Sequence, residues 1–384
     1  MPAAKFVFLA ISFAFNFVTL PLMAQKARTG PSTFAQISAA ANAARDANRL
    51  DEAVTLYQKA LALRPAWAEG WWSLGTLQYD RNAYRDARHA FSTLIRLRPT
   101  DGTARVMLGL SEFELGLDAP ALAHIEQGKR LGINKDPQLR SVVLYHEAVL
   151  LQRASKFESA KEILVQLCLE RVNDDEVAGT LGLVLLRMPN RKLPENAPDS
   201  DVLSRIGRAE CVAARKNYEQ ARKEFEVIVE QYPQYPNIHY AYGMFLLEAQ
   251  DTLGAIREFK EEISRSPDHV FARLQIAAAN YKVDSAAGLP YAAQAVELNP
   301  RLPFGHYLLG LLYLDTDQYQ KAIPELEIAR KSFPRESKLY FALGSAYARA
   351  GRQQEARRAR EIFARLQQQE QARGQEDSGL VPRQ

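Results

Sequence analysis

Small residues recur along the chain within stretches whose apolar side chains come every three or four positions, the spacing of an amphipathic helix. The steps between them are mostly 34 residues: Ala41, Gly75, Gly109, Ala148, Gly182, Ala209, Gly243, Ala277, Gly310 and Gly344. In most repeats a second small residue follows twelve positions later, and a bulky apolar residue follows four after that, as at Ala87 and Phe91. A proline often closes the period, as at Pro99. The pattern predicts antiparallel helix pairs, because small residues let two backbones approach and proline ends the second helix.

One helix pair cannot bury its apolar face alone, so the pairs are predicted to stack into an all-α solenoid. Three units also resemble the tetratricopeptide repeat in their residues: Trp71, Leu74, Gly75, Ala87, Phe91 and Pro99; Leu309, Gly310, Tyr313, Ala322, Ala329 and Pro334; and Leu343, Gly344, Tyr347 and Ala356. The resemblance covers residues 34–370, about ten units. It implies a right-handed superhelix with a concave groove, and it is specific for fold but nearly silent on function.

The repeat pattern has two irregularities. Five extra residues between Ala121 and Ala148 predict a lengthened turn. The larger irregularity holds three prolines within ten residues, which excludes a second helix after Gly182. Residues 189–200 are therefore predicted to form a proline-rich loop between an N-terminal array over 34–188 and a C-terminal array over 201–370. That loop is either an ordinary exposed connection or a hinge or partner-contact site, and the sequence leaves both interpretations open.

The two ends of the chain have different predicted roles. Residues 1–24 have the charged start, apolar run and small-residue end of a secretory signal peptide, with an uncleaved anchor as the alternative. The protein is therefore expected to be periplasmic or secreted, in a bacterial-type envelope. The C-terminal array is expected to end in a charged capping helix. Residues 371–384 are predicted to be a disordered tail, within which Leu380–Arg383 resembles an engineered protease-cleavage sequence and so need not be native.

Composition narrows the function classes. The chain has 384 residues, of which 47% are hydrophobic and 24% charged, which argues against wholesale disorder. A net charge of +4 is too small at this length to indicate a nucleic-acid partner. No apolar run after the signal is long enough to span a membrane. The two cysteines, Cys168 and Cys211, are predicted to be buried free thiols, although export would permit a disulfide.

No catalytic constellation is recognisable in the sequence. His146 and Glu147 begin a zinc-protease motif, but Leu150 stands where the second histidine ligand is required. The other histidines lie in different repeats without metal-ligand spacing, although His239 and His306 are equivalent, which indicates packing or groove lining. A nucleophile elbow and a phosphate-binding loop are also missing. We therefore expect no enzyme activity, cofactor or metal.

The resemblance implies that the first helix of each unit lies on the concave side. The side chains three positions before and four positions after the first small residue of each repeat would then face a ligand. Aromatic residues at or near these positions form the predicted partner-binding groove: Trp72, Tyr79, Phe113, Tyr145, Tyr240, Phe271, Tyr281, Phe304, Tyr307 and Phe341. The alternative is that these rings pack between adjacent units. The predicted function is a non-catalytic scaffold, of unspecified oligomeric state, that binds a protein or peptide segment. A glycan-binding factor for exopolysaccharide export is the alternative function.

Overall fold

The computed structural model describes residues 33–133, 136–170, 175–189 and 199–377, with side chains described up to residue 372. These residues form nineteen α-helices and no strand. Helices that follow one another in sequence pack against each other over most of the chain. The predicted all-α repeat architecture is thereby confirmed. The predicted signal peptide, residues 1–24, and most of the predicted loop, residues 190–198, lie outside the described residues.

The chain forms two compact units. Unit 1 comprises Met1–Thr180 with Met188–Lys192, and unit 2 comprises Leu181–Arg187 with Leu193–Gln384. The helices of unit 1 are α1 (Phe34–Asp46), α2 (Leu50–Leu63), α3 (Ala68–Asp80), α4 (Tyr84–Leu97), α5 (Gly102–Glu114), α6 (Asp118–Leu131), α7 (Pro137–Arg153) and α8 (Phe157–Leu169). Helix α9 (Asp175–Leu185) begins in unit 1 and ends in unit 2.

Unit 2 continues the helix pairs to the C-terminal end of the described chain. Its helices are α10 (Asp199–Ala214), α11 (Tyr218–Gln231), α12 (Ile238–Glu248), α13 (Thr252–Arg265), α14 (Val270–Asn280), α15 (Ser285–Leu298), α16 (Pro303–Asp315), α17 (Tyr319–Ser332), α18 (Ser337–Arg349) and α19 (Gln353–Asp377). No described helix combines the length and apolarity needed to cross a bilayer. In each helix pair, we call the helix that carries the first small residue of the repeat the first helix.

The turn inside most pairs is made by one residue in the left-handed region, seven positions after the first small residue. Asn48, Asn82 and Gly116 illustrate it, with φ values of 55°, 60° and 72°. The following residue then donates its backbone N–H back into the first helix, as Arg49 does to Ala44 at 2.8 Å. Asparagine and glycine suit this position because they tolerate positive φ. Ser155, Lys216 and Gln250 adopt the same conformation at this position, so the turn itself, rather than one residue type, ends each first helix.

The small and bulky residues of the repeat meet in the core. A Cβ on Gly75 would lie 2.8 Å from the ring of Phe91, and one on Gly243 would lie 2.5 Å from the ring of Phe259. Both phenylalanines are among the largest fully buried side chains of the protein. A larger residue in the first helix would push the two helices apart. This contact confirms the physical interpretation of the 34-residue period.

The irregularity after Gly182 brings two first helices together. No described residue between α9 and α10 is helical, and α10 packs directly on α9 at Gly182. A Cβ on Gly182 would lie only 2.1 Å from the carbonyl oxygen of Leu203. Backbone therefore contacts backbone here, whereas Gly75 and Gly243 each meet the ring of a phenylalanine. The roles proposed for residues 189–200 stay predictions.

Two expectations about the chain need correction. Helix α19 continues to Asp377, seven residues into the segment 371–384 for which disorder is predicted. Alanine, glutamine and glutamate in this stretch favour helix, and no proline interrupts it before the end of the helix. Cys168 and Cys211 are buried as predicted, but both are disulfide-bonded rather than free thiols. Spacing along the chain alone does not reveal whether a cysteine is disulfide-bonded.

Candidate binding surface

The first helices of neighbouring pairs lie beside one another in unit 2. Helix α16 contacts both α14 and α18, so that these three helices form one wall. Five of the predicted aromatic residues lie on or at the end of these helices, and we call this set the first-helix surface of unit 2: Phe271, Tyr281, Phe304, Tyr307 and Phe341.

Three of these five rings are exposed. Phe271, Phe304 and Phe341 keep 38%, 46% and 59% of their surface accessible to solvent. Phe271 and Phe304 are equivalent, because each is the second residue of its helix. Phe341 contacts the ring of Phe363 on α19 at 5.5 Å. Exposed phenylalanine on three consecutive first helices is the kind of apolar patch that marks interaction sites.

The two tyrosines of the surface are half-buried. Burial, with Glu336 and Tyr281 nearby, raises the pKa of Tyr307 to about 12. Like any tyrosine at neutral pH, its protonated hydroxyl can donate a hydrogen bond. The Lys282 ammonium lies 5.1 Å from the ring of Tyr281 and also pairs with Asp315 at 2.5 Å. The surface therefore combines exposed rings with hydroxyl donors and a neutralised lysine.

Tyr240 does not line a free surface, contrary to the sequence prediction. It is only 2% exposed, with its ring 5.8 Å from that of Phe259 and 5.0 Å from that of His269. Arg187 donates from Nε to the Tyr240 hydroxyl at 3.1 Å. Arg187, two residues after the end of α9, covers this position.

The four predicted residues of unit 1 are partly buried by packing inside that unit. Trp72 packs on Phe91, Tyr79 on Tyr84 and Phe113 on His146, with ring centroids 5.8, 5.4 and 4.6 Å apart. The Tyr145 hydroxyl lies 3.2 Å from that of Thr180. Burial lowers the pKa of His146, which favours the neutral ring in this packed environment. These rings are less exposed than Phe271, Phe304 and Phe341 of unit 2.

The equivalent histidines are structural. His239 and His306 are each 5% exposed, and their Nδ1 atoms lie 2.7 and 2.6 Å from Glu258 and Glu325. Each pair joins a first helix to the second helix of the same pair. Packing is therefore the correct one of the two interpretations that the sequence offered. Among the described residues, no three histidine, cysteine or acidic side chains are grouped so that they could hold a metal ion.

Arg187 is the surface residue that the sequence did not reveal. Its guanidinium carbon lies 4.2 Å from the centroid of the Phe271 ring and 5.5 Å from that of Tyr240. The repeat pattern gives no signal for it, because it follows an irregular first helix. The one hint is its place directly before the proline-rich segment.

Comparison with known proteins agrees with this architecture. Family models described as tetratricopeptide repeat match residues 73–132, 213–270 and 307–369, and one described as TPR repeat matches residues 41–81. Together they cover more than half of the chain. No curated protein matches the sequence.

Several solved structures share the helical-repeat fold at low identity. A crystal structure of MamA is 19% identical over 43% of this chain and 96% of that chain, with a TM-score of 0.40. MamA 41-end from Desulfovibrio magneticus RS-1 is 21% identical over 47% and 98%, also at 0.40. These values carry no argument about function. On the family matches and its helix pairs, the chain belongs to the tetratricopeptide repeat family and is a protein-interaction scaffold of that kind.

Proposed function

We propose that the first-helix surface of unit 2 binds a protein segment that lies across several helix pairs, without catalysis. The observation that carries this is the exposure of Phe271, Phe304 and Phe341 on three consecutive first helices. Burying apolar surface contributes about 25 cal/mol per Å², so covering these rings would stabilise a complex. Aromatic residues, phenylalanine among them, are also enriched in protein interfaces.

The double substitution Phe304→Ala and Phe341→Ala tests this proposal. We expect at least about a tenfold loss of partner capture, because each truncation removes a ring that the partner would cover. The measurement is affinity capture from the native cell envelope with the purified protein as bait, quantified by mass spectrometry. The thermal unfolding midpoint should stay near that of the wild type, since both side chains are largely exposed.

A matched control removes two apolar side chains that are even more exposed but lie elsewhere in unit 2. Leu253 is 74% exposed on α13 and Val283 is 84% exposed in the turn before α15. Changing both to alanine should leave capture unaltered. Equal capture by the Phe304 and Phe341 variant and the wild type would reject this surface. Competition by oligosaccharides, but by no protein segment, would instead favour the glycan alternative.

We also propose that the protein acts after export, in the cell envelope. The signal-like pattern of residues 1–24 supports this, and so do the disulfide-bonded Cys168 and Cys211. Disulfides persist in oxidising compartments and are rare where thiols are kept reduced.

Fractionation of the native cells tests the location. We expect the protein in the periplasmic or secreted fraction, with Gln25 as its first residue and no thiol that maleimide can label after denaturation without reductant. Recovery from the membrane fraction with residues 1–24 retained would support the anchored alternative. A cytosolic protein that starts at Met1 and has two reactive thiols would contradict export.

A further inference from the structure

A lysine follows the exposed rings along the first-helix surface of unit 2. Phe271 and Phe304 each lie six residues before the small residue of their first helix, and Lys338 occupies that position on α18. Since α16 contacts both α14 and α18, these three side chains follow one another across the wall of first helices. Lys338 is exposed, like the two rings. The row therefore changes from aromatic to cationic between α16 and α18.

The positive charge continues in the turns before α16 and α18. Arg301 and Arg335 each lie nine residues before the small residue of the first helix that follows, and both are exposed. We call Arg301, Arg335 and Lys338 the basic patch. None of the three forms an ion pair with another described residue. Asp268 holds the equivalent position before α14, so the patch begins at α16.

Carboxylates near the start of α18 leave the basic patch only partly neutralised. Glu336 accepts a hydrogen bond from a backbone N–H in the first turn of α18 at 3.4 Å, and Glu370 of α19 accepts one from the Ser337 hydroxyl at 3.2 Å. Glu297 and Lys331, exposed near the ends of α15 and α17, add one charge of each sign. The three basic side chains of the patch outnumber the two carboxylates beside α18, and neither carboxylate pairs with them.

The basic side chains at the other end of these first helices have acidic partners. Lys282, which follows α14, pairs with Asp315 at 2.5 Å, and Arg349, the last residue of α18, pairs with Asp317 at 3.1 Å. The surface is therefore asymmetric. Its unpaired cations lie at the end where its exposed phenylalanines lie.

A segment that covers the rings must also pass the basic patch. Lys338 lies one helical turn before Phe341 on the same face of α18, and it lies beside Phe304 across the contact between α16 and α18. A neutral segment in this place would remove water from the ammonium group without replacing its hydrogen bonds, which costs free energy. A basic segment would be repelled. A carboxylate would form a charge-assisted hydrogen bond with Lys338 while its apolar neighbours cover the rings.

We propose that the protein segment bound by the first-helix surface of unit 2 carries an acidic side chain that pairs with Lys338, next to apolar side chains that cover Phe304 and Phe341. This inference rests on the proposed function and adds the chemistry of the partner. Complementary charge fixes register and specificity more than affinity. The basic patch would therefore set the direction in which the segment lies across the helix pairs.

Peptide selection with charge reversal tests the inference. The probe is a phage-displayed library of random dodecapeptides, selected on the immobilised full chain. We expect aspartate and glutamate beside apolar residues to be enriched about threefold over the starting library. Selection on Lys338→Glu should instead enrich lysine and arginine, because the sign of the charge beside the rings is reversed. Lys338 is the second residue of α18, where an acidic residue suits the helix dipole, so this variant should fold.

Lys260→Glu is the matched control. Lys260 is also exposed and unpaired among the described residues, but it lies on α13, a second helix. Selection on this variant should return the same acidic sequences as the wild type. For one selected peptide, fluorescence anisotropy should show that replacing its acidic residue with the matching amide weakens binding to the wild type about fivefold, and binding to Lys338→Glu not at all.

Selected peptides without acidic enrichment, or an enrichment that survives Lys338→Glu, would overturn the inference. So would a selection that returns no binding sequence, or binding of alginate oligosaccharides in place of peptides. The proposed function is judged separately. It would survive a failed charge preference if the selected peptides, whatever their charge, still lost binding to the Phe304→Ala and Phe341→Ala variant.

Discussion

Replacing Gly182 with alanine is expected to destabilise unit 2 by about 3 kcal/mol, near the upper end of what overpacking costs. The added Cβ would lie 2.1 Å from the oxygen, 2.7 Å from the carbonyl carbon and 2.8 Å from the Cα of Leu203. All three are backbone atoms, so no side-chain rotation relieves the clash. Helix α9 would have to move away from α10, and the apolar contacts between them would be lost. Chemical denaturation followed by circular dichroism measures the effect.

Gly344→Ala is the matched control, because Gly344 occupies the same position in its own first helix. A Cβ there would meet Cγ of Arg360 at 3.2 Å, with the nearest backbone atom 3.7 Å away. The arginine side chain is flexible and can move aside. Alanine also favours helix over glycine by up to about 1 kcal/mol, so this variant should be as stable as the wild type or slightly more stable. If Gly182→Ala unfolds at the same denaturant concentration as Gly344→Ala, α9 does not pack on α10 in this way.

The sequence predicted most of the helix pairs because their defining contact lies within one repeat. Gly75 contacts Phe91, and Gly243 contacts Phe259. The two residues of each pair are sixteen positions apart in the sequence, so the same contact recurs with the repeat. The left-handed turn residue is also local, and it could have been predicted where it is asparagine or glycine, as at Asn48, but not where it is Lys216 or Gln250. Local periodic contacts are the part of this structure that composition and spacing can encode.

The candidate surface was only partly predictable from the sequence. The exposure of a side chain depends on its neighbours in space, and the 34-residue spacing gives no information about them. Trp72 and Phe341 have the same repeat position, yet Trp72 packs on Phe91 while Phe341 remains mostly exposed. Tyr240 is covered by Arg187, 53 residues earlier and at the end of an irregular pair. A repeat pattern places a side chain on a face of a helix. It does not say whether an irregular segment covers that face.

The contact that defines the repeat can itself be tested with Gly243 and Phe259. We expect Gly243→Ala to cost about 2 to 3 kcal/mol, because its Cβ would meet the Phe259 ring at 2.5 Å. Phe259→Leu alone should cost about 1 to 2 kcal/mol for the space it leaves in the core. The double variant should cost clearly less than the sum, with about 1 kcal/mol or more of coupling, because the smaller leucine makes room for the new methyl group.

Leu326 provides the comparison, because it packs on Gly310 in a different helix pair of unit 2. Leu326→Ala combined with Gly243→Ala should give the sum of the single effects within about 0.5 kcal/mol, since the two sites share no partner. Denaturant titrations of all the variants supply the free energies. Additivity in both combinations would mean that the small residue is not there to make room for the ring. The 34-residue period would then need another physical origin, such as helix propensity or the turn that follows each first helix.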